Sequence, residues 1–344
     1  MKKYLKRIAA VAGLVFTGCT SYAMPASGNE LSVMQLNVWM EAKNVENGFA
    51  AVVDEIVRLN PDIVMLCEAH NREDAFYIPA LLDSLSLHGR KYFANGSTLD
   101  VQLVSKFPIV EQDIVWNEHN GVIRTTLDVS GEKVIVYTGH LDYTHYECYL
   151  PRGYSGTTWK KIDAPVTDTD SIMAGNDLSH RDEATRAVIA DARQHSADLF
   201  LFGGDFNEPS HLDWGEDTKN LWDHNGAIVP WSCSSLLYEA GFRDAYRMKY
   251  PNPVTHPGFT FPSDNPVKPV NKLTWAPDAD ERDRIDFIYY IPSEGWSLTE
   301  AMLVGPAGSI VRGERVPEQT MDTILTPIGT WPSDHKGVLV KFSY

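Results

Sequence analysis

The amino-acid sequence predicts a β-sandwich flanked by helices, because short apolar runs of strand length are many and clear helical repeats are few. A doubly wound parallel sheet would instead need helices alternating with strands throughout. At 344 residues and 43% apolar, the chain can bury one large core, and no Gly/Ser linker or low-complexity tract divides it. A single domain is expected over residues 24–344.

The elements follow in order. Phe49, Val52, Val53, Ile56 and Val57 recur at helical spacing, and Asn60-Pro61 ends that helix. Ile63 to Cys67 reads as a buried strand that delivers Glu68 at its end. Strands are also expected at Leu99 to Val104, Gly121 to Val129 and Val134 to Thr138. A second helix around Arg181 to Gln194 precedes the strand Leu199 to Phe202, two glycines and Asp205. The last strands are Arg284 to Tyr290 and Gly337 to Phe342. Asp62-Ile-Val-Met-Leu-Cys-Glu68 and Asp198-Leu-Phe-Leu-Phe-Gly-Gly-Asp205 look like a duplicated helix-strand-carboxylate unit. Such a repeat sets two acids at equivalent ends of two packed sheets.

Two long stretches, Tyr143 to His180 and His211 to Asp283, carry no regular repeat but many aromatics, which argues for ordered, functional loops. At the start, Lys2, Lys3, Lys6 and Arg7 precede an apolar run from Ile8 to Phe16, the pattern of an export signal over residues 1–23. Two cleavage sites compete there. Cys19 resembles the lipidated residue of a bacterial lipoprotein box, whereas Ser21-Tyr22-Ala23 suits ordinary signal cleavage. Either places the mature chain outside the cytoplasm, periplasmic, secreted or held to a membrane through Cys19. The formal charge of −16 argues against a general affinity for polyanions. Cys67 is expected to be a buried thiol, and Cys148 and Cys233, in polar segments, could pair as a disulfide.

Six short motifs set polar residues beside apolar strands, where an unpaired acid or amide is costly. They are Leu36-Asn37-Val38-Trp39, Leu66-Cys67-Glu68, Gly139-His140-Leu141-Asp142, Gly203-Gly204-Asp205-Phe206-Asn207, Arg284-Ile285-Asp286 and Ser333-Asp334-His335. Taken singly, each has an ordinary reading as a turn, a strand end or a core histidine. Together they supply carboxylates and an amide for a hard cation and histidines for proton transfer. No thiolate is among the candidates, so Mg²⁺, Mn²⁺ or Ca²⁺ is favoured over zinc.

These motifs resemble those of the endonuclease/exonuclease/phosphatase superfamily, over about Leu31 to Phe342, and most closely at Gly204-Asp205-Phe206-Asn207 and Ser333-Asp334-His335. Ser105-Lys106-Phe107-Pro108 also resembles a family segment. The resemblance implies a four-layer α/β sandwich of two packed, mainly antiparallel sheets flanked by helices, with the active site at the ends of both sheets. It implies Glu68 as principal metal ligand, with Asn37 and Asp334 beside it. It implies that Asp205 aligns or deprotonates water, that Asn207 binds a phosphate oxygen, and that Asp286 orients His335. His140 is similar to a second family histidine that steadies the transition state or protonates the leaving oxygen. The expected activity is metal-dependent hydrolysis of a phosphate ester, with a small or lipid-headgroup phosphodiester ahead of a nucleic acid or a monoester. Neither long loop holds the Lys/Arg cluster that would track a nucleic-acid backbone.

Overall fold

Apolar strands that would expose both faces to water find cover by stacking in pairs, and this chain builds two such sheets. The computed structural model describes residues 28–72 and 75–344, so the expected export signal and Cys19 lie outside the described residues. β1 (Glu30–Asn37) leads through α1 (Gly48–Leu59) into β2 (Ile63–Cys67), which lies parallel to β1. A small hairpin, β3 (Asn71–Arg72) and β4 (Ala75–Phe76), precedes α2 (Tyr77–Leu87) and β5 (Gln102–Ser105). The chain then crosses to the second sheet with β6 (Ile109–Trp116), β7 (Gly121–Val129) and β8 (Glu132–His140). α3 (Thr169–Asn176) and α4 (Arg181–Ala192) lead to β9 (Leu199–Asp205), parallel to β8.

α5 (Ser232–Glu239), β10 (Arg243–Asp244) and α6 (Ala245–Lys249) come next, followed by β11 (Asp286–Ile291) and β12 (Ser297–Val304). The hairpin β13 (Gly308–Val311) and β14 (Glu314–Pro317), then β15 (Ile324–Leu325) and β16 (Gly337–Ser343), complete the chain. The first sheet runs β15-β12-β16-β1-β2-β5 and the second β10-β11-β9-β8-β7-β6. All other neighbours in the two sheets are antiparallel except β1 with β2, β8 with β9 and β12 with β15. The four-layer sandwich expected from the sequence is therefore present.

Three apolar layers hold it. Val33, Met65 and Val340 of the first sheet meet Val136, Leu201 and Ile288 of the second in the central core. α1 and α2 cover the outside of the first sheet through Val52, Ile56 and Leu81, each fully buried. Burying a side chain of that size contributes about 1.5–3 kcal/mol. α4 and α5 cover the second sheet through Val188 and Leu237. A fourth cluster joins the two long loops to each other, with Tyr149, Ile172, Trp214 and Trp231 at its centre. Arg152 donates to Asp283 across this cluster, and Arg181 donates to the carbonyls of Asp142, Thr144 and His145 at the root of the first loop.

Two expectations change here. Cys148 and Cys233 are free, and they sit in different apolar clusters, so the candidate disulfide does not form. Their segments looked polar, but packing of the two loops buries both thiols. α2, β6 and β12 also escaped the sequence reading. β6 alternates weakly because it is an edge strand with a largely solvated face, and α2 carries Pro79 in its first turn, where a proline is tolerated. Among the described residues, no helix is long and apolar enough to cross a membrane.

Candidate active site

Parallel β1 and β2 end at one rim of the sandwich, and parallel β8 and β9 end at the same rim of the second sheet. Antiparallel β11 and β16 begin there. That topology brings all six motifs together, since Asn37, Glu68, His140 and Asp205 end strands while Asp286 and Ser333-Asp334-His335 precede or open them. Asp205 is the register partner of His140 on one side and of Asp286 on the other. The approach of β8 to β9 explains Gly204: its φ is +150°, and an added Cβ would stand 1.7 Å from the Gly139 carbonyl oxygen. Cys67 fills the space behind, donating to Gly139 O and accepting from Asp205 N, and burial pushes its thiol pKa well up.

The centre is symmetric. His335 Nδ1 lies 2.9 Å from Asp286 Oδ2, and Gln35 donates to the other Asp286 oxygen at 2.8 Å. His140 Nδ1 lies 2.5 Å from Asp100 Oδ2. The two imidazoles turn their Nε2 atoms toward one oxygen, Asp205 Oδ2, at 3.8 Å each. Burial pulls His140 toward neutrality, but Asp100, Asp205 and Glu68 outweigh it and push its pKa up to about 9. His335 is likewise raised against burial, by Asp286, Asp205 and Asp334. Burial and the neighbouring Asp286 raise Asp205, with both histidines opposing.

The remaining candidates form the acidic side. Asn37 donates its carboxamide to Glu68 at 3.0 Å and to Asp205 at 2.9 Å, while its oxygen accepts the Trp39 N–H. Met40 N–H holds the second Glu68 oxygen at 2.7 Å. Asn37 thus ties the two carboxylates together and, in this arrangement, turns its nitrogen toward them. Asn207 caps Asp205 through its backbone N–H and donates its side chain to Leu141 O. Asp334 Oδ1 is buried without a hydrogen-bond partner among the described residues, and burial together with Glu68 and Asp205 pushes the Asp334 pKa up to about 7, against His335.

That orphaned oxygen, beside Glu68 and Asp205, is what a hard divalent cation would satisfy, so these residues fit one. A tighter trio, Asp205, Asp286 and His335, also has ligand atoms within 4.8 Å of one another. In that trio both Asp286 oxygens are already hydrogen-bonded, to His335 and Gln35.

Asp100 and Gln35 are functional partners that sequence reasoning missed. A buried amide inside the apolar run of β1 was a usable signal for Gln35; nothing local marks Asp100. Two motif members serve structure instead. Asp142 accepts Thr144 and His180 backbone N–H groups, and Arg284 pairs with Asp213 and Asp244. Lys106 of the Ser105–Pro108 segment binds Asp62 and Asn60 O and is absent from the cleft lining.

A cleft of about 510 Å³ opens on this centre. Its other wall comes from both long loops, through Tyr143, Tyr146, Tyr149, Trp159, Phe261 and Trp275. The first loop, which directly follows His140, overhangs the site.

Comparison with known proteins agrees with this geometry. An uncharacterised Caenorhabditis elegans protein is 27% identical over 341 residues, covering 94% of each chain. Among solved structures, D. rerio TDP2 complexed with a single-strand DNA product superposes with a TM-score of 0.51 at 15% identity, covering 92% of this chain and 99% of that one. A family protein from Leptotrichia buccalis gives 0.50 at 15% identity, covering 91% and 100%. The profile described as the Endonuclease/Exonuclease/phosphatase family matches residues 34–335, spanning every element of the site, and the chain belongs to that family.

Proposed function

We propose that the chain is a divalent-metal-dependent phosphodiesterase that hydrolyses a small or lipid-headgroup phosphodiester by direct attack of water. The observation that carries this is the pair of carboxylate-backed histidines sharing Asp205 Oδ2 opposite the Glu68 and Asp334 carboxylates. Glu68 and Asp334 would hold the cation, with Asn37 steadying Glu68; when bound, the cation supplies positive charge against the phosphate oxygens. Asp205, raised by burial, is placed to align the attacking water and take its proton. His335 and His140, both raised, hold protons at Nε2 for the phosphate oxygens and the leaving oxygen. No covalent enzyme intermediate is required. Export, with membrane attachment through a lipidated Cys19, completes the reading.

Among the described residues lining the cleft there is no Lys or Arg, which favours a small diester over a polynucleotide. Release of nitrophenol from bis-nitrophenyl phosphate, with and without EDTA, tests the activity, run beside plasmid DNA at two ionic strengths. Metal-dependent turnover of the small diester is expected. Full turnover after exhaustive chelation, or efficient and strongly salt-sensitive DNA cleavage, would reject it.

A further inference from the structure

We infer that residues 39–42 are a positioning element, a single turn of left-handed helix whose backbone N–H groups fix Glu68 and Asn37 for the cation. This rests on the reading of Glu68 as a cation ligand and adds what holds that ligand in place. Trp39, Met40, Glu41 and Ala42 have φ of +50°, +55°, +56° and +57°. The left-handed region is costly for residues with a Cβ, and glycine, asparagine and aspartate, which visit it most, do so singly rather than in runs. None of those three types occurs in this stretch. Ala42 N–H donates to Val38 O at 2.7 Å and closes the turn with the spacing of an α-helix.

Successive N–H groups of a turn form a concave set of donors for an anion. Here Trp39 N–H donates to Asn37 Oδ1 at 2.9 Å, Met40 N–H to Glu68 Oε2 at 2.7 Å and Glu41 N–H to Glu68 O at 2.8 Å. The first bond settles which end of the Asn37 amide is oxygen, because a backbone N–H needs an acceptor. Its NH₂ group therefore faces Glu68 Oε1 and Asp205 Oδ2. The other two bonds grip Glu68 by its carboxylate and by its main chain, and Glu68 itself is held at a φ of +56°. Moving Met40 to negative φ swings its N–H off the carboxylate.

The contacts that impose the turn lie behind it. Ala42 is buried, and Glu41 is buried and pairs with Lys43 at 3.0 Å. A Cβ on Gly48, the first residue of α1, would stand 2.1 Å from Ala42 O, so the helix starts on glycine where it meets the turn. Met40, 48% exposed, gains little from its own burial. Backbone strain of this kind persists only where the surroundings over-determine it, and it collects at functional sites.

The test reads Mn²⁺ binding to the full chain by titration calorimetry. A β-branched residue tolerates the left-handed region least, and glycine adopts it freely. Met40→Val is expected to weaken Mn²⁺ affinity by roughly tenfold or more, the scale of a lost partner behind a metal ligand. Gly48→Ala, which presses on Ala42 from α1, should weaken it as well. Met40→Gly should keep the wild-type affinity, a rescue that a contact of the Met40 side chain would not give. Thermal unfolding without metal identifies the variants that fold. Wild-type affinity in folded Met40→Val and Gly48→Ala, or a Met40→Gly as weak as Met40→Val, overturns the positioning role. The expected pattern of binding without turnover of bis-nitrophenyl phosphate defeats the phosphodiesterase reading and leaves the turn's role standing. No Mn²⁺ binding by wild type, or binding untouched by Glu68→Gln, defeats the cation reading and the turn's role with it.

Discussion

His140 Nδ1 lies 2.5 Å from Asp100 Oδ2, and this pair faces the His335 and Asp286 pair across a single atom, Asp205 Oδ2. Two imidazoles that approach one carboxylate oxygen, each with its own orienting acid, form the arrangement on which the proposed phosphodiester hydrolysis relies.

If the second pair matters as the first does, Asp100→Asn should lower turnover of bis-nitrophenyl phosphate by roughly 10²-fold, as should His140→Ala. Asp286→Asn should reproduce the loss in His335→Ala. The pH profile separates orientation from packing, because each asparagine variant should shift the histidine limb of the profile. A normal rate and an unmoved profile in Asp100→Asn would make that acid a structural one.

Stability should carry the mark of the same pair. His140 has a folded pKa of about 9 against an ordinary value of 6.5, so its contribution is fully present below pH 6.5 and is lost as pH rises through 9. The charged groups that raise it are Asp100, Asp205 and Glu68. In protein stripped with EDTA, the thermal midpoint should therefore fall more steeply between those pH values in wild type than in Asp100→Asn. Parallel curves would show that the pair contributes nothing.

Removal of one ligand charge tests the cation site directly. Glu68→Gln keeps the shape and the hydrogen bond from Met40 N–H but loses the charge. Calorimetric titration with Mn²⁺ should show affinity weakened by roughly tenfold or more. Turnover should fall with it. Unchanged affinity would move the cation elsewhere, with the trio of Asp205, Asp286 and His335 the next place to look.

The close approach of β8 and β9 predicts a severe backbone effect. Gly204→Ala would place a methyl group 1.7 Å from Gly139 O at a φ of +150°. A loss of at least about 2 kcal/mol is expected from the strain alone, read by urea unfolding. A stability within error of wild type would mean that the strands can separate there at little cost.

Much of this architecture was legible before folding. α1 and α4 announce themselves through helical spacing, and β7 and β16 through bounded apolar runs, because local patterning reflects which face each element must bury. The repeated strand-carboxylate pattern, expected to set two acids at equivalent ends of two packed sheets, places Glu68 just after β2 of the first sheet and Asp205 at the end of β9 of the second. All eight candidate site residues were named from types that are costly beside apolar strands, and they meet at one rim. What the sequence could not decide was pairing. Asp100 reaches His140 across 40 residues, Gln35 reaches Asp286 across 251, and the two long loops bury Cys148 and Cys233 apart. Contacts at those separations depend on strand order and register, which are set by the packing of whole sheets. Composition and periodicity report only which faces want burial, so the partners of each candidate site group were decided by tertiary structure alone.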